Sequence, residues 1–197
     1  GTRDGDQNPR RNRLGRLRKG SAVAKILQIR DRKLHILMIK RAEREGDPWS
    51  GHMAFPGGRM DKTDINGYAV ATRETAEEVG LTLGPQDECI GRLSELNAKP
   101  HRGALGMAVS PFVFRLDREV MFTTNYEVAE VIWIPLEFLV DAGNREEMTW
   151  TYRGAGISLP CYRYQGRCIW GLSLMMLDEL LDLVEGRNPR RLGWRRR

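Results

Sequence analysis

Apolar residues recur along this chain with two periods, and the switch between them predicts its elements. Residues 22–30 (AVAKILQIR) and 34–41 (LHILMIKR) are rich in Ile, Leu and Val, with Asp31-Arg32-Lys33 between them, and predict a β-hairpin. Residues 42–50 are charged, contain Gly46 and Pro48, and predict a loop. A short strand at 52–55 runs into Gly57-Gly58, where two glycines allow a tight turn and close backbone approach. The run 67–80 follows the 3.6-residue period and predicts a helix with Ala69, Thr72, Ala76 and Val79 facing inward. Asp64 or Asn66 is its candidate N-cap and Gly80 its C-cap.

Strands are predicted next at 88–96 and 107–116, around a loop at 97–106, and again at 128–134. Pro135 starts a short helix reaching about Val140. Residues 149–152 and 157–164 alternate as strands, with Gln165-Gly166 as a turn. In 170–184 apolar residues at 172, 174–177, 180, 181, 183 and 184 are set against acids at 178, 179, 182 and 185, an amphipathic helix for packing on a sheet. Strands of mixed spacing, one helix in the middle and one at the end predict an α+β sandwich. At 197 residues the chain suits one domain with a real core.

Charge divides that picture. Residues 1–20 carry a net +5 and residues 187–197 a net +6; against +6 for the whole chain, this leaves −5 for residues 21–186. The organisation read from this is a basic, flexible arm (1–20), a folded acidic domain (21–186) and an Arg-rich tail (187–197). Basic ends on an acidic domain point to an anionic partner: RNA, a membrane surface or an acidic protein face. An Arg-rich, acid-poor start also suits an organelle transit segment, and a chain beginning at Gly1 suggests natural sequence upstream. No apolar run reaches the ~18 residues of a membrane span. Cys89, Cys161 and Cys168 form no metal-ligand pattern, and Cys161 and Cys168 flank the predicted turn. Free thiols place the protein in a reducing intracellular compartment, cytoplasmic or mitochondrial.

The chemistry concentrates on the central helix. Glu74, Glu77 and Glu78 fall at i, i+3 and i+4, so three carboxylates share one face and repel. A hard divalent cation such as Mg²⁺ among them explains the arrangement, since it takes oxygen ligands and bridges carboxylates to substrate phosphates.

The segment Gly58 … Arg73-Glu74-Thr75-Ala76-Glu77-Glu78-Val79-Gly80-Leu81 resembles the Nudix box. Asp64 stands where the box carries its first Glu, and the gap from Asp64 to Arg73 is one residue longer than usual. The longer gap, and Ile169-Trp170-Gly171 before the last helix, resemble the coenzyme A diphosphatase-like branch. So does Arg41-Ala42 followed by Gly51-His52-Met53-Ala54-Phe55, except that Asp47 lies where a second Arg is expected and Arg44 is the shifted substitute. The resemblance covers about residues 22–186 and implies a Nudix-like α/β/α sandwich with a mixed central sheet. It implies Mg²⁺ or Mn²⁺ held by Glu74, Glu77, Glu78 and the Gly58 carbonyl, with Arg73 ion-paired inside the motif and Asp64 in the first Glu's structural place. Glu127 and Glu130 are the candidates for a completing carboxylate.

His52, beside the metal loop, and Lys99, His101 and Arg102, in the 97–106 loop, are candidates for substrate contact, as are Arg41 and Arg44. His35 reads as a surface residue. Trp49 and Trp194 are candidates for stacking, weighed against ordinary packing. Three functions follow. The first is hydrolysis of a diphosphate linkage in a nucleoside diphosphate compound, coenzyme A-type or another dinucleotide. The second is an RNA 5′-end pyrophosphohydrolase with the basic ends gripping phosphates. The third is a Nudix-like subunit that binds RNA or protein, against which the intact carboxylate triad argues.

Overall fold

The computed structural model describes residues 20–47, 50–98 and 107–186. Both basic ends, Trp49 and the segment carrying Lys99, His101 and Arg102 lie outside the described residues. Ser21–Arg30 (β1) and Lys33–Arg41 (β2) form the expected hairpin. Its turn is Asp31-Arg32 alone, at φ 48° and 64°. Two left-handed central residues give a turn whose twist matches the strands, so Lys33 joins β2 and pairs with Arg30.

Met53–Ala54 (β3) pairs with β2, and Gly57–Arg59 (β4) pairs with β1. The two glycines therefore make a strand rather than a turn, and close approach is the reason for them. A Cβ on Gly57 would lie 2.3 Å from the Ala22 carbonyl oxygen. Glu88–Arg92 (β5) and Leu96–Ala98 (β6) both pair with Met107–Arg115 (β7), so the single strand expected at 88–96 is two. Strand β7 runs parallel to β1 across Ser21–Leu27, and Val128–Pro135 (β8) runs antiparallel to β2. The result is a mixed eight-stranded sheet centred on β1.

Gly67–Val79 (α1) begins at Asn66, whose side chain accepts from the Ala69 N–H, and ends at Gly80 with φ 70°. Its inward face differs from the expected one. Val70, Ala71, Thr75, Glu78 and Val79 are buried, while Ala69, Thr72 and Ala76 are only half-buried. The helix is turned so that Glu78 goes inward, which no apolar pattern announces.

After β8 come Leu136–Val140 (α2), Arg145–Tyr152 (β9), Ala155–Tyr164 (β10), Arg167–Ile169 (β11) and Gly171–Val184 (α3). Strands β9 to β11 form a separate antiparallel sheet. Strand β9 is longer than its alternating core because it pairs with β10 as far back as Arg145 opposite Tyr162. Side chains of β1 alternate between two cores. Ala22, Ala24 and Ile26 meet Val70, Ala71 and Val79 of α1 with Phe114 and Leu116. On the other face Leu27, Ile36, Met38 and Ile134 meet Leu174, Leu177 and Leu181 of α3, with Tyr162 and Ile169 of the small sheet. The layers are thus α1, the mixed sheet, then α2 and α3 with the small sheet. No described helix is long and apolar enough to cross a membrane.

Candidate active site: a carboxylate cleft over strand β4

Helix α1 lies across β4, and the second glycine permits the contact. A Cβ on Gly58 would lie 2.5 Å from a Glu74 carboxylate oxygen. Only a glycine lets the backbone approach the carboxylate this closely. The neighbouring Gly57 N–H donates to Glu78 Oε1 at 2.8 Å. Opposite, the segment before β8 is tied to the end of α1: the Thr123 N–H donates to the Val79 carbonyl and the Asn125 N–H to the Glu78 carbonyl. These bonds satisfy carbonyls that the helix end leaves open and bring Glu127 to face the helix.

The space between is a cleft of about 620 Å³, lined by Arg41, Gly57, Gly58, Arg59, Glu74, Glu77, Asn125, Tyr126 and Glu127. Its electrostatics are one-sided. Glu78 is 1% exposed. Burial pushes its carboxyl up to about 8, against the Gly57 N–H, and the charges of Glu74 and Glu127 add to the rise. Glu74 is raised as well, by burial first, against the pull of Arg73. Carboxylates crowded this way repel unless a cation joins them.

Arg73 braces the arrangement. Its Nε and Nη2 reach both Asp64 oxygens, at 2.9 and 2.8 Å; Nη1 contacts Glu74 at 3.1 Å and Glu77 at 3.2 Å; and Nη2 also donates to the Arg59 carbonyl at 3.1 Å. The Asp64 side chain is only 4% exposed, and its hydrogen bonds to Arg73 hold its carboxyl below the usual range. Between the two candidate caps the roles divide: Asn66 caps the helix and Asp64 anchors Arg73.

Among the described residues no three acidic, histidine or cysteine side chains converge tightly enough to enclose an ion on their own. The donor set still fits Mg²⁺, which keeps several waters and needs only one or two carboxylates from the protein. Hard oxygens from Glu74, Glu77 and Glu78 with the bare backbone of Gly58 are that kind of set.

The other candidates separate. Arg41 lines the cleft; its Nη2 donates to Asp47 at 2.9 Å, while its buried Nε has no hydrogen-bond partner among the described residues. Arg44 stands at the rim over Tyr126. His52 packs edge-on against Trp170 at 5.2 Å between ring centroids rather than lining the cleft, and burial lowers its pKa. His35 is half-buried, with its Nδ1 against the Lys33 carbonyl. Glu130 is not brought to the carboxylates: Arg167 holds it at 2.8 and 2.5 Å, and Lys40 lies 3.9 Å away. Glu130 lies inside β8 opposite Lys40, whereas Glu127 lies in the turn before that strand and alone of the two lines the cleft. Sequence reasoning missed Asn125 and Tyr126, whose one signal was adjacency to Glu127. Cys89, Cys161 and Cys168 are all free.

Similarity to known proteins agrees with this geometry. A protein of Schizosaccharomyces pombe is 37% identical over 109 residues, 54% of this chain and 33% of its own length. The mitochondrial coenzyme A diphosphatase NUDT8 of Homo sapiens is 29% identical over 151 residues, 76% of this chain and 62% of its own. The chain thus spans under two thirds of the length of either relative. In fold it is similar to a crystal structure of a C. elegans Ap4A hydrolase, with a TM-score of 0.52 and 19% identity over 62% of this chain and 83% of that one. The NUDIX domain model matches residues 19–153, well over half of the sequence, and the chain belongs to the Nudix family.

Proposed function

We propose that this Nudix hydrolase cleaves the diphosphate linkage of a nucleoside diphosphate joined to a second moiety, with coenzyme A-type compounds and other dinucleotides as its substrates. The observation that carries the reading is the cleft in which Glu74, Glu77 and Glu127 face Arg41 over the bare backbone of Gly57 and Gly58. The name of the human relative supports the substrate class.

Nudix hydrolases generally use divalent cations. Here Glu74, Glu77 and Glu78 with the Gly58 carbonyl would hold Mg²⁺ or Mn²⁺. Bound there, the cation supplies charge neutralisation for the phosphates and acidifies a water. The remaining work falls to the protein. Arg41 offers its guanidinium from the cleft wall to a phosphate oxygen while Asp47 holds its Nη2. Arg73 holds the Glu74 and Glu77 carboxylates in place. Glu127, from the opposite wall, accepts the proton of the attacking water. The free thiols and the relative's compartment favour a reducing interior, cytoplasmic or mitochondrial.

A phosphate-release screen with Mg²⁺ against coenzyme A, dinucleotides, nucleotide sugars and 5′-triphosphorylated RNA tests this. Turnover of the small diphosphates is expected. Turnover of the RNA with none of the small compounds would replace this reading with RNA end processing.

A further inference from the structure

Diphosphate chemistry leaves one part of the cleft unused, its rim. Tyr126 is 73% exposed and lines the cleft beside Glu127. Ile65 and Met121 are more exposed still, at 89% and 93%, but neither lines the cleft. The Arg44 guanidinium stands over the Tyr126 ring, 5.4 Å from its centroid. We propose that Tyr126 and Arg44 form a stacking site for the aromatic base of a nucleotide whose diphosphate lies among the carboxylates.

The two side chains come from different loops, yet both are fixed to one point. The Glu127 N–H donates to Asn125 Oδ1 at 3.0 Å and the Val128 N–H to the Asn125 carbonyl at 3.3 Å, which closes a tight turn around Tyr126. The Ala42 N–H donates to the Glu127 carbonyl at 2.8 Å, tying the Arg44 loop to the same turn. The Arg44 N–H is then held by Ser50 Oγ at 2.6 Å. An aromatic ring left in water on a pinned turn gives up the burial that large rings ordinarily gain. A planar base recovers it. Guanidinium and phenol faces both stack on bases, and every base has such a face, so the site would grip the base without reading its edges. The placement suits a substrate with charge at one end and a ring at the other: carboxylates and Arg41 line the cleft, with Tyr126 under the Arg44 guanidinium at its edge.

This inference rests on reading the cleft as a diphosphate site, so its test measures binding apart from turnover. Calorimetry in Mg²⁺ compares ADP with ribose 5-diphosphate, which carries the same phosphates without the base. The wild-type chain should favour ADP about tenfold. Tyr126→Phe should keep the preference, since the ring stacks and the hydroxyl does not. Tyr126→Ala should bind the two compounds alike, with unchanged affinity for ribose 5-diphosphate. The site is overturned if wild type binds no ADP or binds both compounds equally, if Tyr126→Ala retains the preference, or if it weakens both equally. A chain that keeps the base preference yet turns over no diphosphate retains the stacking site and overturns the hydrolytic reading instead.

Discussion

The two faces of strand β1 gather charge in opposite ways. On one side α1 brings Glu74 and Glu77 to an open cleft with Glu127, Glu78 buried beside them and Arg41, Arg59 and Arg73 as the nearby cations. On the other side α3 brings Asp178 and Glu179 against cations that nearly match them. Arg145 grips both Asp178 oxygens at 2.7 and 2.9 Å. Lys25, on β1 itself, is fully buried, donates to the Met176 carbonyl, stands 5.6 Å from the Phe55 ring centroid and feels the charge of Glu179. Glu179 Oε1 accepts from the Ser94 N–H at 3.0 Å. The α1 side gathers its carboxylates around a cleft, and the α3 side sets Asp178 and Glu179 each against a partner inside the fold. Unbalanced buried carboxylates cost stability and persist where a ligand completes them; balanced ones tie elements together.

The sharpest way to break this contrast is to neutralise one acid on each side. Glu78→Gln should cut turnover at least a thousandfold, about 4 kcal/mol in barrier. It should leave the melting temperature the same, because Gln keeps an oxygen for the Gly57 N–H and replaces a carboxyl that burial already pushes up to about 8. Phosphate release and a thermal scan on the same preparation decide it; a lower melting temperature with retained turnover would make Glu78 structural. Asp178→Asn should do the reverse. It leaves Arg145, whose side chain is 9% exposed, without its carboxylate, so stability should fall by about 3 kcal/mol. Turnover per folded molecule should stay within about twofold, well under 1 kcal/mol of barrier. Denaturant melts paired with active-site titration separate the two effects.

How much of this was legible before the coordinates follows the same division. The β1–β2 hairpin, the Gly80 cap and the apolar stripe of α3 all state themselves in local pattern, while the N-cap stood open between Asp64 and Asn66. Helix spacing made it legible that Glu74, Glu77 and Glu78 lie on neighbouring positions of one helix, but not that Glu78 is buried while Glu74 and Glu77 line the cleft. Strands β4 and β11 were not, for three residues have no period, and each exists through its partner. The facing of α1 was misread because two of its buried positions carry the polar Thr75 and Glu78, so the inward face was sought at Ala69, Thr72 and Ala76 instead. Lys25 hid inside an apolar strand for the same reason: pattern reports what is usually buried, and both sides of β1 bury exceptions.

The buried lysine gives the next effect in size, and it appears as a pH dependence. Burial lowers the Lys25 pKa from 10.5 to about 7, with Glu179 opposing. Between those values the unfolded chain holds a proton that the native chain has released, so stability rises with pH across that window. The penalty is full below about 7 and gone above 10.5. Wild type should gain on the order of 2 kcal/mol from pH 7 to 9 through this group. Lys25→Met should be more stable than wild type at pH 7 and lose that gain, with turnover unchanged. Urea melts at pH 6, 7, 8 and 9 test it. Parallel curves for the two proteins would mean that Glu179 holds Lys25 charged throughout, and the α3 side would then be balanced more completely than burial allows.

The smallest effect concerns the balance inside the cleft. Asp47 stands where the resemblance to coenzyme A diphosphatases leads one to expect an arginine, and it engages Arg41 through Nη2 at 2.9 Å. A carboxylate there offsets one of the few cations facing the substrate, so a further phosphate on the substrate meets less positive charge. Wild type should therefore prefer coenzyme A over its 3′-dephospho form by less than tenfold, about 1.4 kcal/mol. Asp47→Arg removes one negative charge and adds a positive one close to Arg41. It should move the kcat/KM ratio toward the 3′-phosphorylated compound by roughly threefold to tenfold, with most of the change in KM, because a remote phosphate is bound alike in ground and transition states. Steady-state kinetics on the two compounds give both ratios. A wild-type preference already above tenfold would show that the Arg41–Asp47 pair opens when substrate arrives, and that the cleft is less acidic in use than at rest.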